Sequence, residues 1–136
     1  MMTLSLTLYA LAAFGMLVVA SIYLFGGVPT SHHREILEKE GVSLSPGLEQ
    51  VMTALCRVLG AGLMASGVSA LLFALNIQAS DPVLIKMRPL LIGLIIGVPS
   101  AIYPHRVEMA TGVRTPWRYA VGLLVVMVAG FVASLM

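Results

Sequence analysis

Charge is what this chain has least of. Only 10% of its 136 residues are Asp, Glu, Lys or Arg, against about 25% in an ordinary soluble domain. No charged side chain lies between Met1 and His32. The formal net charge of +2 is too small to point to nucleic acid. A single cysteine, Cys56, excludes an intramolecular disulfide and a cysteine-based metal cluster. Paired carboxylates, HExxH, a glycine-rich phosphate loop and a Ser/His/Asp arrangement are all missing from the apolar segments, so no enzyme activity and no cofactor is expected.

What is present is apolar length. Hydrophobic residues make up 59% of the chain. The run from Leu4 to Gly27 is long enough to cross a bilayer, since a hydrocarbon core of about 30 Å takes roughly 20 apolar residues in helical form. It lacks a basic leader and exceeds the apolar stretch of a signal peptide, so it is read as a retained helix. The pattern predicts an all-α, polytopic membrane protein with one four-helix domain, its helices covering about 3–27, 46–76, 83–109 and 116–136. Ser45-Pro46 and Thr115-Pro116 read as helix starts, and Gly112 as a helix end. Pro99 is expected to kink the third helix, where Lys86 and Arg88 must snorkel to the interface.

Lysine and arginine counts give the orientation. Arg34, Lys39, Arg106, Arg114 and Arg118 belong to one side, and Lys86 with Arg88 to the other. Loops 28–45 and 110–115 are therefore expected in the cytoplasm, with both termini outside. The two loops share an order of residues: a proline, a His-Arg pair, an acid, Gly-Val, then a hydroxyl residue and proline. This order predicts that the helical hairpins are parallel repeats. Loop one (Arg34, Lys39 against Glu35, Glu38, Glu40, Glu49) sums to −2 and loop three (Arg106, Arg114, Arg118 against Glu108) to +2, so the loops are expected to dock. Loop one itself is expected to form a short helix from Ser31 to about Glu40, ended by Gly41.

Few residues are candidates for chemistry. Arg57 is the one ionisable group inside an apolar stretch, and an interfacial anchor is the expected role. His33 and His105 could converge if the loops are repeats, although further metal ligands are lacking. Small residues give the positive signal: Gly62, Ser66 and Ala70 at four-residue intervals, and the GxxxG step Gly93–Gly97. Such positions let helix backbones approach closely in lipid.

The hexapeptide Gly112-Val113-Arg114-Thr115-Pro116-Trp117 resembles the GxRTPW element of SdpI-type bacterial membrane proteins, a group that includes immunity factors against a secreted toxin. The resemblance covers these six residues and implies a loop preceding a membrane helix, with Arg114 and Trp117 as candidate functional residues. The whole chain also resembles the small four-helix membrane proteins of unknown function common in bacteria, which implies the bacterial inner membrane. The expected function is a non-catalytic accessory or structural component, acting by helix association with other membrane subunits or with itself. An oligomeric small-solute transporter or channel, and an SdpI-like immunity protein, are the alternatives.

Overall fold

The computed structural model describes residues 1–136 and is entirely helical outside its loops. Six helices follow in order: α1 Met2–Phe25, α2 Ser31–Lys39, α3 Pro46–Leu75, α4 Val83–Lys86, α5 Arg88–Thr111 and α6 Trp117–Ser134. Helices α1, α3, α5 and α6 are each long and apolar enough to cross a membrane. At a rise of about 1.5 Å per residue, the 30 residues of α3 span about 45 Å, more than a hydrocarbon core. At that length its first turns, with Glu49, Gln50 and Thr53, would reach beyond such a core.

Local chemistry sets most boundaries. The Ser45 side chain accepts the Leu48 N–H at 3.3 Å, and Pro46 occupies the first helical position, where no amide hydrogen is needed. Gly41 takes φ +67°, open to glycine without a Cβ penalty, and closes α2. The Gly41 N–H donates to the Glu38 carbonyl and the Val42 N–H to that of Leu37, the paired bonds of a Schellman motif. Gly112, at φ +68°, ends α5 in the same left-handed region.

Two expectations need correction. A single third helix over 83–109 is divided at Met87 into α4 and α5, and α5 runs two residues further, to Thr111. The cause is Pro89, which has no N–H for the Ile85 carbonyl. Pro89 is itself buried and starts α5. Beyond it the helix continues unbroken through Pro99 and Pro104. The fourth helix begins at Trp117, with Pro116 as its cap.

The four long helices close into a ring in which α1 packs on α3 and α6, and α5 packs on the same two from the opposite corner. The α1–α3 interface is the most extensive and α3–α5 the sparsest of these four. The centre is filled by Tyr9, Ala12, Ala13 and Met16 of α1, Ala70 and Ala74 of α3, Leu90 of α5 and Met127 of α6. On α3 the buried positions are Cys56, Gly60, Leu63, Gly67, Ala70 and Ala74, alternating steps of four and three residues. That 3.5-residue period keeps one seam facing its neighbour along a coiled-coil-like contact, here lined by small residues. The outside is the reverse of a soluble protein: Leu11, Phe14, Val18, Leu55, Leu72, Ile95 and Val125 all point outward. Apolar solvent suits that surface, and in it packing and interhelical hydrogen bonds hold the helices.

Two such bonds cross the end of the bundle that carries the termini. Ser5 Oγ donates to the Gly130 carbonyl at 2.7 Å, joining α1 to α6. The fully buried Tyr9 hydroxyl donates to the Lys86 carbonyl at 3.0 Å, joining α1 to the α4–α5 break. In membrane-protein interiors such bonds contribute about 0.6 kcal/mol each on average.

Candidate functional site

The chemically richest part of the molecule is the opposite end, where the α1–α3 and α5–α6 connections lie side by side. It is built around backbone carbonyls and one carboxylate.

In the first connection, cationic and hydroxyl side chains collect the carbonyls that α1 leaves unpaired at its C-terminus. Arg57 reaches from α3 to donate to Tyr23 O at 3.4 Å and Gly26 O at 3.2 Å. Thr53 Oγ1 donates to Val28 O at 3.3 Å, and Arg34 Nε to Pro29 O at 3.3 Å. A cation at this position also complements the negative end of the helix dipole. Arg57 thus binds the end of α1, where the sequence predicted an anchor. Arg34 continues to Glu49 Oε1 at 3.2 Å, tying α2 to α3. Within α2 no i,i+4 ion pair forms: Arg34 turns to Glu49 and Lys39 reaches Thr111 O at 3.5 Å.

His32 and His33 share the Thr30 hydroxyl, at 2.9 Å and 3.0 Å from their respective Nδ1 atoms, with ring centroids 4.1 Å apart. Partial burial lowers both pKa values below the usual 6.5, and for His33 the neighbouring His32 adds to the effect. His105 has a different neighbour: its ring meets the edge of Trp117 at 4.9 Å between centroids. No three His, Cys, Asp or Glu side chains converge to form a metal site.

The second connection is organised by Glu108. Its Oε2 accepts from Thr115 N at 2.9 Å, Trp117 Nε1 at 3.1 Å and Arg118 Nη1 at 3.1 Å, while Oε1 accepts from Arg118 Nη2 at 2.8 Å. The Thr115 hydroxyl donates to Pro104 O at 2.8 Å and lies 3.3 Å from the same carboxylate. The Arg118 guanidinium sits 4.6 Å above the Trp117 ring, a cation–π geometry. The GVRTPW segment is therefore folded back on the last turn of α5 around one acid. Arg114 is the exception: it is exposed, and neither ion pair includes it. In the sequence Glu108 counts only as one charge of loop three, although it is the only acid after Asp81 and has Thr115, Trp117 and Arg118 seven to ten residues downstream.

The loops do touch, through Lys39 and the end of α5, but not by the acid–base pairing that their opposite charges predicted. Nor does their shared residue order become shared geometry. His33 and Arg34 lie on the separate helix α2, whereas His105, Arg106 and Glu108 belong to the last turns of α5.

The small residues divide into two groups. A Cβ added at Gly93 would fall on Met127 Sδ, and one at Gly97 would come within 2.7 Å of Leu124 Cδ2, so the GxxxG step seats α5 on α6. On α3, Ala70 is buried, but Gly62 is exposed and an added Cβ there meets nothing within 4 Å. Ser66 donates to the Gly62 carbonyl at 2.8 Å on that outer side. The α3 positions that bring backbones together are Gly60 and Gly67 instead: an added Cβ would lie 2.8 Å from Leu24 N at the first and 2.9 Å from Leu17 Cδ2 at the second.

At the terminal end, Lys86 is 9% exposed, and its ammonium turns to Ala79 O at 2.8 Å. Arg88 lies 5.7 Å from the Phe73 ring centroid. Compared with known proteins, the chain matches no family model, no curated protein and no solved structure.

Proposed function

We propose that this chain is an integral membrane protein of the bacterial inner membrane and works without catalysis, as an accessory or structural subunit that associates with other membrane helices. The observation that carries the reading is how its polar side chains are used. Ser5, Tyr9, Thr53, Arg57 and Lys86 are each bonded to a backbone carbonyl of this chain, which serves to brace the bundle. The interior they brace is packed with Ala, Met, Leu and Tyr. The outward Gly62–Ser66 strip of α3 is the surface by which a further helix would approach, since nothing in this chain covers Gly62.

Orientation belongs to the same proposal. The Arg- and Lys-bearing loops face the cytoplasm, and both termini face outward, on the positive-inside rule. The competing transporter reading draws on Arg57, but both bonds of that side chain go to the end of α1. An immunity-type role draws on GVRTPW, whose Thr115 and Trp117 are engaged with Glu108. The shared order of the two loops supports a parallel duplication, and the different helices that carry it weigh against one.

Site-specific photocrosslinking in native membranes tests the association. A photoreactive residue at Ser66 should capture a second polypeptide in defined yield, and one in place of the buried Met127 should crosslink only within the chain. Absence of any intermolecular product from Ser66 overturns the assignment of this face.

A further inference from the structure

The α5–α6 turn holds a cation that the protein itself does not neutralise. The ion pairs are Arg34–Glu49 and Glu108–Arg118. Arg114 is exposed and takes part in neither. With Thr115, Pro116, Arg118 and Tyr119 it lines a cleft of about 470 Å³. Both terminal nitrogens of Arg118 are committed to Glu108, so the net positive charge of the cleft rests on Arg114.

Beyond the cleft, the exposed face of α6 dips at Gly122, which carries no side chain. Tyr119 is 73% exposed beside the cleft, an added Cβ at Gly122 would meet nothing within 4 Å, and the exposed Val125 and Ala129 continue the same face. Positions 122, 125 and 129 are spaced three and four apart and so lie in line. A basic, hydrogen-bonding head and a shallow apolar trough share one helix, at the end where Tyr103 and Tyr119 stand exposed. Aromatic side chains of this kind sit at headgroup level in membranes.

We propose that this cleft binds the headgroup phosphate of an anionic phospholipid, with one acyl chain lying along Gly122, Val125 and Ala129. The proposal rests on the membrane reading above. Guanidinium groups match phosphate oxygens in shape and charge. The apolar trough selects a lipid over a soluble phosphate. Glu108, the one acid beside the cleft, already has its charge paired with Arg118, which makes it a poor partner for a headgroup ammonium and favours anionic over zwitterionic headgroups. The loop side is also the proposed cytoplasmic side, where anionic lipids attract basic residues.

The test is native mass spectrometry of the full chain from nanodiscs containing phosphatidylcholine and phosphatidylglycerol at four to one. The wild type should retain one phosphatidylglycerol in preference to phosphatidylcholine. Arg114→Gln should lower that retention about ten-fold, through loss of the charge-assisted hydrogen bonds to the phosphate. Gly122→Leu should lower it by filling the trough with charge unchanged. Arg106→Gln, at an exposed position outside the cleft lining, should leave it intact. Unchanged Trp117 emission certifies the fold of each variant. Equal losses in Arg114→Gln and Arg106→Gln would show diffuse surface charge and overturn the site. So would retention unaffected by Arg114→Gln, or displacement of the lipid by glycerol phosphate. Failure of the wild type to enter nanodiscs would overturn the membrane reading and this proposal with it.

Discussion

Gly60 and Gly62 lie two residues apart on α3, and opposite outcomes are expected when each is replaced by alanine. At Gly60 the new methyl would lie 2.8 Å from Leu24 N and 3.0 Å from Tyr23 C, both backbone atoms of α1. A side chain could rotate away, but a helix backbone has to be displaced. Displacing it strains the α1–α3 interface, the most extensive of the bundle, and the Arg57 bonds to Tyr23 O and Gly26 O beside it. Overpacking of this kind costs about 1–3 kcal/mol, and contact with rigid backbone places Gly60→Ala in the upper part of that range. Gly62→Ala meets open space and should be neutral, or stabilising by up to about 1 kcal/mol through helix propensity. Unfolding titrations in mixed detergent micelles, followed by circular dichroism, would measure both. The packing argument is refuted if Gly60→Ala unfolds at the wild-type midpoint, or if Gly62→Ala loses as much as Gly60→Ala.

Other predictions follow from the loop end. Glu108→Gln removes the charge that holds Arg118 while keeping the shape of the side chain. It should lower the melting temperature and shift the emission of Trp117, the only tryptophan, whose indole N–H bonds to that carboxylate. Arg118→Gln should do the same to a smaller extent, and the double variant should be little worse than Glu108→Gln alone, since both remove the same ion pair; additive losses would disprove the pairing. Arg57→Gln should cost about 1 kcal/mol by freeing two carbonyls at the end of α1, and unaltered hydrogen exchange around Leu24–Gly27 would contradict that role. His32 and His33 have pKa values lowered below 6.5 in the fold, so their contribution to α2 is complete above about 6.5 and is lost as pH falls through the lower folded values. Amide exchange in α2, corrected for intrinsic rates, should therefore quicken between pH 7.5 and pH 5, and the His32→Gln/His33→Gln double variant should abolish that pH dependence.

How much could be read in advance follows the range of the interactions. Ser45-Pro46, Gly41 and Gly112 mark helix ends in the sequence because capping is decided within four residues. Pro89 carries the same kind of signal for the break at Met87, but the apolar residues Val83–Ile85 before it and Leu90–Leu94 after it read as one helix. Helix faces were harder to read. Outward-facing and inward-facing positions are both apolar, so polarity gives no period, and side-chain size has to be followed instead. The true seam on α3, from Cys56 through Gly60, Leu63, Gly67 and Ala70 to Ala74, steps by four and three. Gly62–Ser66–Ala70 steps by four throughout and drifts from the outer surface into the core. The Glu108 cluster depends on α5 and α6 meeting at a tight turn, and GVRTPW alone shows only one half of it.

The central claim, that this chain works by associating with other polypeptides in the membrane, is tested most directly by weighing the intact particle. The protein would be tagged at its C-terminus, extracted in mild detergent and examined by native mass spectrometry. A complex with a second polypeptide at fixed stoichiometry is predicted, lost when Gly62 is replaced by leucine and retained in Arg114→Gln. A lone homo-oligomer or a monomer, unchanged by Gly62→Leu, would contradict the accessory role.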